Sequence, residues 1–158
     1  LTTIQVNFAT PVDAATLNAV GAITLTRTAA TPTGTVGTIV DASNGLIVSP
    51  GSGMVSSITL TFANLVNAGV ESGSLADGRW QLAIPSLGYQ STVDDPLLRR
   101  LFGDINGDGN VDGSTDFAQF GAVFGITLAG SPFIFNNDGT IDGSTDFAAF
   151  GGRFGTTL

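Results

Sequence analysis

The chain has 158 residues, of which 42% are hydrophobic and only 11% charged, with a net charge of −8. That balance excludes a solvated, disordered tail, and an acidic chain without a basic patch excludes nucleic acid as an expected partner. Cysteine and histidine are absent and the five cations are all arginine, which removes disulfides, thiol chemistry, the commonest zinc ligand and the commonest general base. No apolar run approaches the roughly 18 residues that a membrane-spanning helix requires. The sequence starts at Leu1 on what already reads as a strand. The expectation is a piece of a longer protein with covalent upstream domains.

Alternation opens the chain. In "TIQVNFA", Ile4, Val6 and Phe8 share one face and Thr3, Gln5 and Asn7 the other. Asp13 in "PVDAATLNAV" can cap a helical turn through Ala14 to Asn18. "AITLTRT" from Ala22 is a second, Thr-rich alternating run. Turn clusters follow at Thr31 to Gly34, Asp41 to Gly45 and Ser49 to Gly53. "SITLTF" (Ile58, Leu60, Phe62) and "RWQLAI" (Trp80, Leu82, Ile84) complete the set. Strands with one apolar face and Gly/Ser/Pro turns point to a β-sandwich. Trp80 shares its face with Leu82 and Ile84, so core packing is expected of it ahead of sugar stacking. The acids of this region show no spacing that suggests a facing catalytic pair.

The order "VNFATPVDAATLN", a Thr-rich strand, and "DGRWQLAIPSLGYQSTVDDPL" resembles bacterial Ig-like domains of surface proteins. The resemblance covers about residues 1 to 98 and implies a sandwich whose first strand lies partly upstream of Leu1. The linker "DDPLLRRLFGD" is apolar at Leu97, Leu98, Leu101 and Phe102, unlike a free hinge. These residues are expected to dock the two parts together.

The last third of the chain is a tandem duplication. Asp112, Phe117, Phe120 and Phe124 recur as Asp142, Phe147, Phe150 and Phe154, at a constant offset of 30 residues. Phe117, Phe120 and Phe124 lie at i, i+3 and i+7, the stripe of a helix that must bury itself against its twin. Ahead of each stripe stands an Asp/Asn/Gly loop. Calcium takes six to eight oxygens in a flexible cage, with side chains at loop positions one, three and five, a backbone carbonyl at seven and a Gly at six. In the first copy these are Asp104, Asn106, Asp108, the Asn110 carbonyl and Gly109. Asp112 contributes directly or through water, and Asp116 opens the helix as a potential bidentate ligand. The second copy offers Asn136, Asp138, the Thr140 carbonyl, Asp142 and Asp146, with Ile134 where the first has Asp104. Seven of the chain's thirteen acids sit in these loops. Two calcium ions are expected, the second held more weakly because its loop carries one charge fewer.

"D-x-N-x-D-G-x-V-D" followed by "STD", with the loop–helix unit duplicated, resembles a type I dockerin over about Phe102 to Leu158. Following an Ig-like domain, it looks like the large surface proteins of planctomycete-type bacteria. The resemblance implies calcium-dependent docking onto a cohesin-like domain through Ser114-Thr115 and Ser144-Thr145. The bland reading of those pairs is helix capping. Three departures stand out: each loop is one residue longer than the dockerin loop, Ile134 replaces an acid, and the expected basic pair is instead Ala122-Val123 and Gly152-Arg153.

The expected fold class is therefore a mainly β, Ig-like sandwich over residues 1–98 plus a small α dockerin-like module over residues 99–158, with calcium loops at about 104–116 and 134–146 and two paired helices. The leading function is a non-catalytic docking or anchoring module of a secreted or cell-surface protein. The alternatives are a purely structural, calcium-rigidified end of a surface or adhesive protein and an accessory module of an extracellular carbohydrate-active enzyme.

Overall fold

Ile4, Val6 and Phe8 do lie along one strand, but none of them is fully buried. The computed structural model describes residues 1–31, 34–128 and 131–158, which form two compact units, Leu1–Arg99 and Arg100–Leu158. In the first unit, β1 (Thr3–Asp13) leads into α1 (Ala14–Leu17). The strands β2 (Thr24–Arg27), β3 (Ile39–Val40), β4 (Leu46–Ser49) and β5 (Met54–Phe62) follow. Then come β6 (Val70–Glu71), β7 (Ser74–Leu75), β8 (Gly78–Ile84) and β9 (Tyr89–Gln90). As the motif requires, the Asp13 carboxylate accepts from the Ala15 amide at 3.0 Å and starts α1.

One sheet runs β1-β5-β4, and another carries β8-β2-β3 with β9 beside β8. The pairing is antiparallel, with Val6 opposite Ile58, Val48 opposite Leu60, and Leu25 opposite Leu82. This register puts the alternating apolar sets on the inner faces. Val48, Ile58, Leu60 and Phe62 of one sheet meet Leu25, Val40, Trp80, Leu82 and Ile84 of the other in a single core. Each such aliphatic side chain contributes roughly 1.5–3 kcal/mol by leaving water. Trp80 is fully buried and donates its indole N–H to the Ala76 carbonyl at 3.0 Å.

The buried face of β2 carries a charge. Arg27 is fully buried, its guanidinium 4.7 Å from the Trp80 ring centroid and donating to the Ala68 carbonyl at 2.9 Å. Burial lowers its pKa, against the raising influence of Asp77 and Glu71. Gly78 is required beneath it: a Cβ there would stand 2.8 Å from Arg27 Nε, and its φ is +152°.

The second unit corrects the expected fold class. It is no α module with two paired helices. Its helices are α2 (Asp116–Val123), of eight residues, and α3 (Asp146–Gly151), of six, and their backbones do not pack along each other. Turns and isolated bridges fill most of the rest of Arg100–Leu158 among the described residues; taken with the strands of the first unit, the described chain is mainly β with short helices. The physical reason lies at the helix ends. Phe124 has already left α2 with extended backbone (φ −62°, ψ 132°), and Gly125 turns the chain at φ +80°. Gly151 and Gly152 end α3 before Phe154. The third ring of each stripe thus lies outside its helix. The rings still meet: Phe120 and Phe150 are buried and stacked at 4.9 Å, with Val111, Phe133, Ile141, Leu101 and Phe102 around them. Phe117, Phe124, Phe147 and Phe154 remain about half exposed. Of the apolar linker residues, Leu98 belongs to the first core, Leu101 and Phe102 to the second, and Leu97 is exposed.

Candidate metal-binding loops

Two Asp/Asn/Gly loops precede α2 and α3 and share one wiring. Asp116, the first residue of α2, is fully buried. Its Oδ1 accepts the Ile105 amide at 2.9 Å and its Oδ2 the Asp112 amide at 2.8 Å. Asp146 repeats this with Phe135 (2.6 Å) and Asp142 (2.8 Å). One carboxylate therefore ties the beginning and the end of each loop to the helix start, where the dipole also favours its charge. An oxygen that accepts one N–H keeps another lone pair, so this role leaves Asp116 and Asp146 able to coordinate.

Asp112 and Asp142 form the next matched pair. Asp112 Oδ1 accepts from the Ser114 amide (2.9 Å), the Ser114 hydroxyl (3.0 Å) and the Thr115 amide (2.9 Å). Asp142 does the same with Ser144 and Thr145. The Thr115 and Thr145 amides, together with the serine hydroxyls, hold both carboxyls below the usual range. The Ser-Thr pairs are thus donors to these aspartates, and Thr115 and Thr145 make no side-chain cap themselves. Ser114 and Ser144 are exposed.

The loop tips carry the remaining oxygens. Asp108 Oδ1 accepts the Asn110 amide at 2.8 Å and its Oδ2 the Asn106 side-chain amide at 2.8 Å; Asn106 first and Asn110 second lower its pKa. Asp138 takes the Thr140 amide at 2.8 Å and the Asn136 side chain at 2.8 Å. The sixth-position glycines, Gly109 and Gly139, adopt φ of +89° and +91°, which the tight turn demands and side chains resist.

The loops differ at their first position. Asp104 accepts from the Asp108 amide (3.1 Å) and the Gly109 amide (2.9 Å). Burial raises its pKa, with Asp108 and Asp116 pushing the same way against the Gly109 and Gly107 amides. Ile134 offers no oxygen and packs on the Phe cluster. The structure therefore brings Asp104, Asn106, Asp108 and Asn110 into one network and Asn136, Asp138 and Thr140 into another. Asp112–Asp116 and Asp142–Asp146 stand at the helix ends of the same loops. Among the described residues no three acids gather into one tight cluster; neutral amides and main-chain groups lie between them. The donor set is all oxygen, mixed carboxylate, amide and carbonyl, which fits a hard divalent cation and not a soft one.

Protein-family models, curated proteins and solved structures give no match to this chain. The likeness to dockerin loops and to Ig-like domains thus rests on the residues quoted above.

Two features of this unit escaped motif reading. Arg153 is buried, 4.9 Å from the Phe135 ring and 5.7 Å from that of Phe102, and donates to the Ala149 carbonyl at 3.0 Å. The other is the pairing of the tails, "GITL" (residues 125–128) and "GTTL" (residues 155–158), with the loops. The match of Thr127-Leu128 to Thr157-Leu158 at the repeat offset is visible in the sequence, and the loop each tail pairs with is not.

Proposed function

We propose that Arg100–Leu158 is a non-catalytic calcium-binding module that gives a secreted or cell-surface protein a calcium-dependent docking or anchoring end. The carrying observation is the duplication of the loop wiring. Both copies place an aspartate on the same two loop amides, another on the same Ser-Thr donors and a third at the loop tip. Asp104, Asn106, Asp108, Asn110, Asp112 and Asp116 would hold one ion, and Asn136, Asp138, Thr140, Asp142 and Asp146 a second. When bound, calcium supplies positive charge that offsets the carboxylates of the loop and cross-links it. Acids of the first unit support a non-catalytic reading, since several serve the fold. Asp13 and Asp95 cap helical turns, Asp41 holds the Ser43 turn, and Asp94 pairs with Arg79 at 2.9 Å.

The test is calorimetric titration with calcium, alongside melting in EDTA and in millimolar calcium. Heat of binding and a chelator-sensitive transition in the second unit are expected; identical melts and no heat would remove the proposal. Docking is tested by capture of cohesin-type domains with and without chelator. The burial of Arg153 favours a second reading, a purely structural, calcium-rigidified end. The one cation of the second helix region is stacked on rings and not presented for docking. Calcium binding without capture would select it.

A further inference from the structure

Each tail pairs with the other copy's loop. Thr157 lies opposite Asn110 in an antiparallel bridge, and Thr127 lies opposite Thr140. Around the first bridge, the Val111 amide donates to the Thr156 carbonyl (3.0 Å), the Leu158 amide to Gly109 (2.8 Å) and the Gly155 amide to Val111 (2.8 Å). Around the second, Ile141 donates to Ile126 (3.1 Å), Leu128 to Gly139 (3.0 Å) and Gly125 to Ile141 (2.8 Å). The two sets correspond bond for bond. The crossing extends to side chains. Phe154 Cζ lies 3.5 Å from the Cβ position of Gly113, and Phe124 Cζ lies 3.5 Å from that of Gly143.

The bonds sit on the neighbours of the bridged residues. In such a non-hydrogen-bonded pair, the bridged residues' own N–H and C=O point away from the partner strand. The Asn110 and Thr140 amides accordingly reach back into their own loops, to Asp108 and Asp138. Their carbonyls are the seventh-position oxygens. Thr157 adds a hydroxyl donated to Asn110 Oδ1 at 2.7 Å.

We infer that each repeat's tail completes the other repeat's loop: Gly155–Leu158 sets the seventh-position carbonyl of the first loop, and Gly125–Leu128 that of the second. The two loops are therefore one reciprocally clasped device, and the chain's last residues control the site farther away in sequence. The consequence for calcium rests on the proposed metal binding; the clasp itself does not.

The experiment compares Leu158→Pro with Leu158→Ala in the whole chain by hydrogen exchange over residues 104–112 and 134–142, without and with calcium. Both substitutions lose the leucine side chain, and only proline loses the amide that donates to Gly109. Relative to alanine, proline is expected to speed exchange in residues 104–112 by about five- to tenfold, the worth of about one hydrogen bond, and to spare residues 134–142. Leu128→Pro against Leu128→Ala should give the mirror result. Exchange that rises equally in both loops overturns the inference, as does a rise confined to residues 134–142 for Leu158→Pro or to residues 104–112 for Leu128→Pro. So does proline behaving as alanine. With calcium, Leu158→Pro should weaken the binding step that Asp104→Ala removes; weakening of the Asp138-dependent step instead also overturns it. Absence of any calcium heat in the parent chain would sink the metal reading alone, because exchange without metal still reads the clasp.

Discussion

The two acidic loops differ at one decisive position. Asp104 stands where the second loop has Ile134. The first loop gains an acceptor for the amides of Asp108 and Gly109, together with one more negative charge that burial disfavours. The second gives that position to the aromatic core. The rest of the wiring is closely shared. A duplicated loop can thus hold its backbone shape through Asp116 or Asp146, Asp112 or Asp142, Asp108 or Asp138 and the opposite tail, while its first residue is released to trade charge for packing.

The largest expected effect tests what the loops share. Phe120→Ala should cost roughly 3–5 kcal/mol, because Phe120 is stacked on Phe150 at the centre of the unit. Both loops should lose order together. Trp80, the chain's single tryptophan, lies in the first unit, and its fluorescence should stay unchanged. Loss of only one loop would show that the core is not common to both.

Next come the paired carboxylates. Asp116→Ala and Asp146→Ala each orphan two half-buried loop amides, at about 1 kcal/mol per donor, the low end of the cost for an unsatisfied group. Thermal melts of the two variants should shift alike. A much smaller shift for Asp146→Ala would mean that the second loop is held by something other than this tie.

Calcium titration sharpens the difference between the loops. Two steps are expected, the tighter one abolished by Asp104→Ala or Asp108→Ala. Ile134→Asp should tighten the weaker step by about tenfold, within the attraction that one added charge supplies at a partly exposed site. Equal steps in the parent chain, or loss of the tighter step in Asp138→Ala, would reverse the assignment.

The smallest effect is in the pH dependence without calcium. Asp112 and Asp142 have depressed pKa values through matching amide and hydroxyl donors. Their stabilisation is present above the unfolded carboxyl pKa and is lost as pH falls through the folded one, equally in both loops. Asp104 has the opposite sign. Its raised pKa means that the ionised form is disfavoured in the fold, so protonation as pH falls relieves a cost found only in the first loop. Protection factors in residues 104–112, corrected for the intrinsic slowing of exchange in acid, should rise slightly on mild acidification before acid loosens both loops, and Asp104→Asn should remove that first phase. A mild-acid phase of equal size in residues 134–142 would dissociate it from Asp104.

Strand positions with long alternation were legible, as were α1 and its Asp13 cap. The short strands were not. β3, β6, β7 and β9 span two residues each, too few for a period of two to show. Arg27 stands in the alternating run from Ala22 with nothing local to mark it as buried; its burial depends on the Trp80 ring and on Gly78 making room. The helices were overread: an i, i+3, i+7 stripe is compatible with a helix, but its third ring is also compatible with the extended exit that Phe124 takes.

Sequence alone determined the duplication, the oxygen-bearing residues and the inequality at Asp104 and Ile134, because these are matters of residue type and of spacing along the chain, within each loop and at the 30-residue repeat offset. Tertiary structure decided the rest. It set where the helices stop, it buried Arg27 and Arg153 against aromatic rings, and it gave each loop its tail from the opposite repeat. Bridges such as Asn110 to Thr157 join residues far apart in the chain through main-chain groups that every residue carries. No pattern of side chains encodes them; only the folded register of Val111 and Ile141 beneath the stacked phenylalanines brings those backbones together.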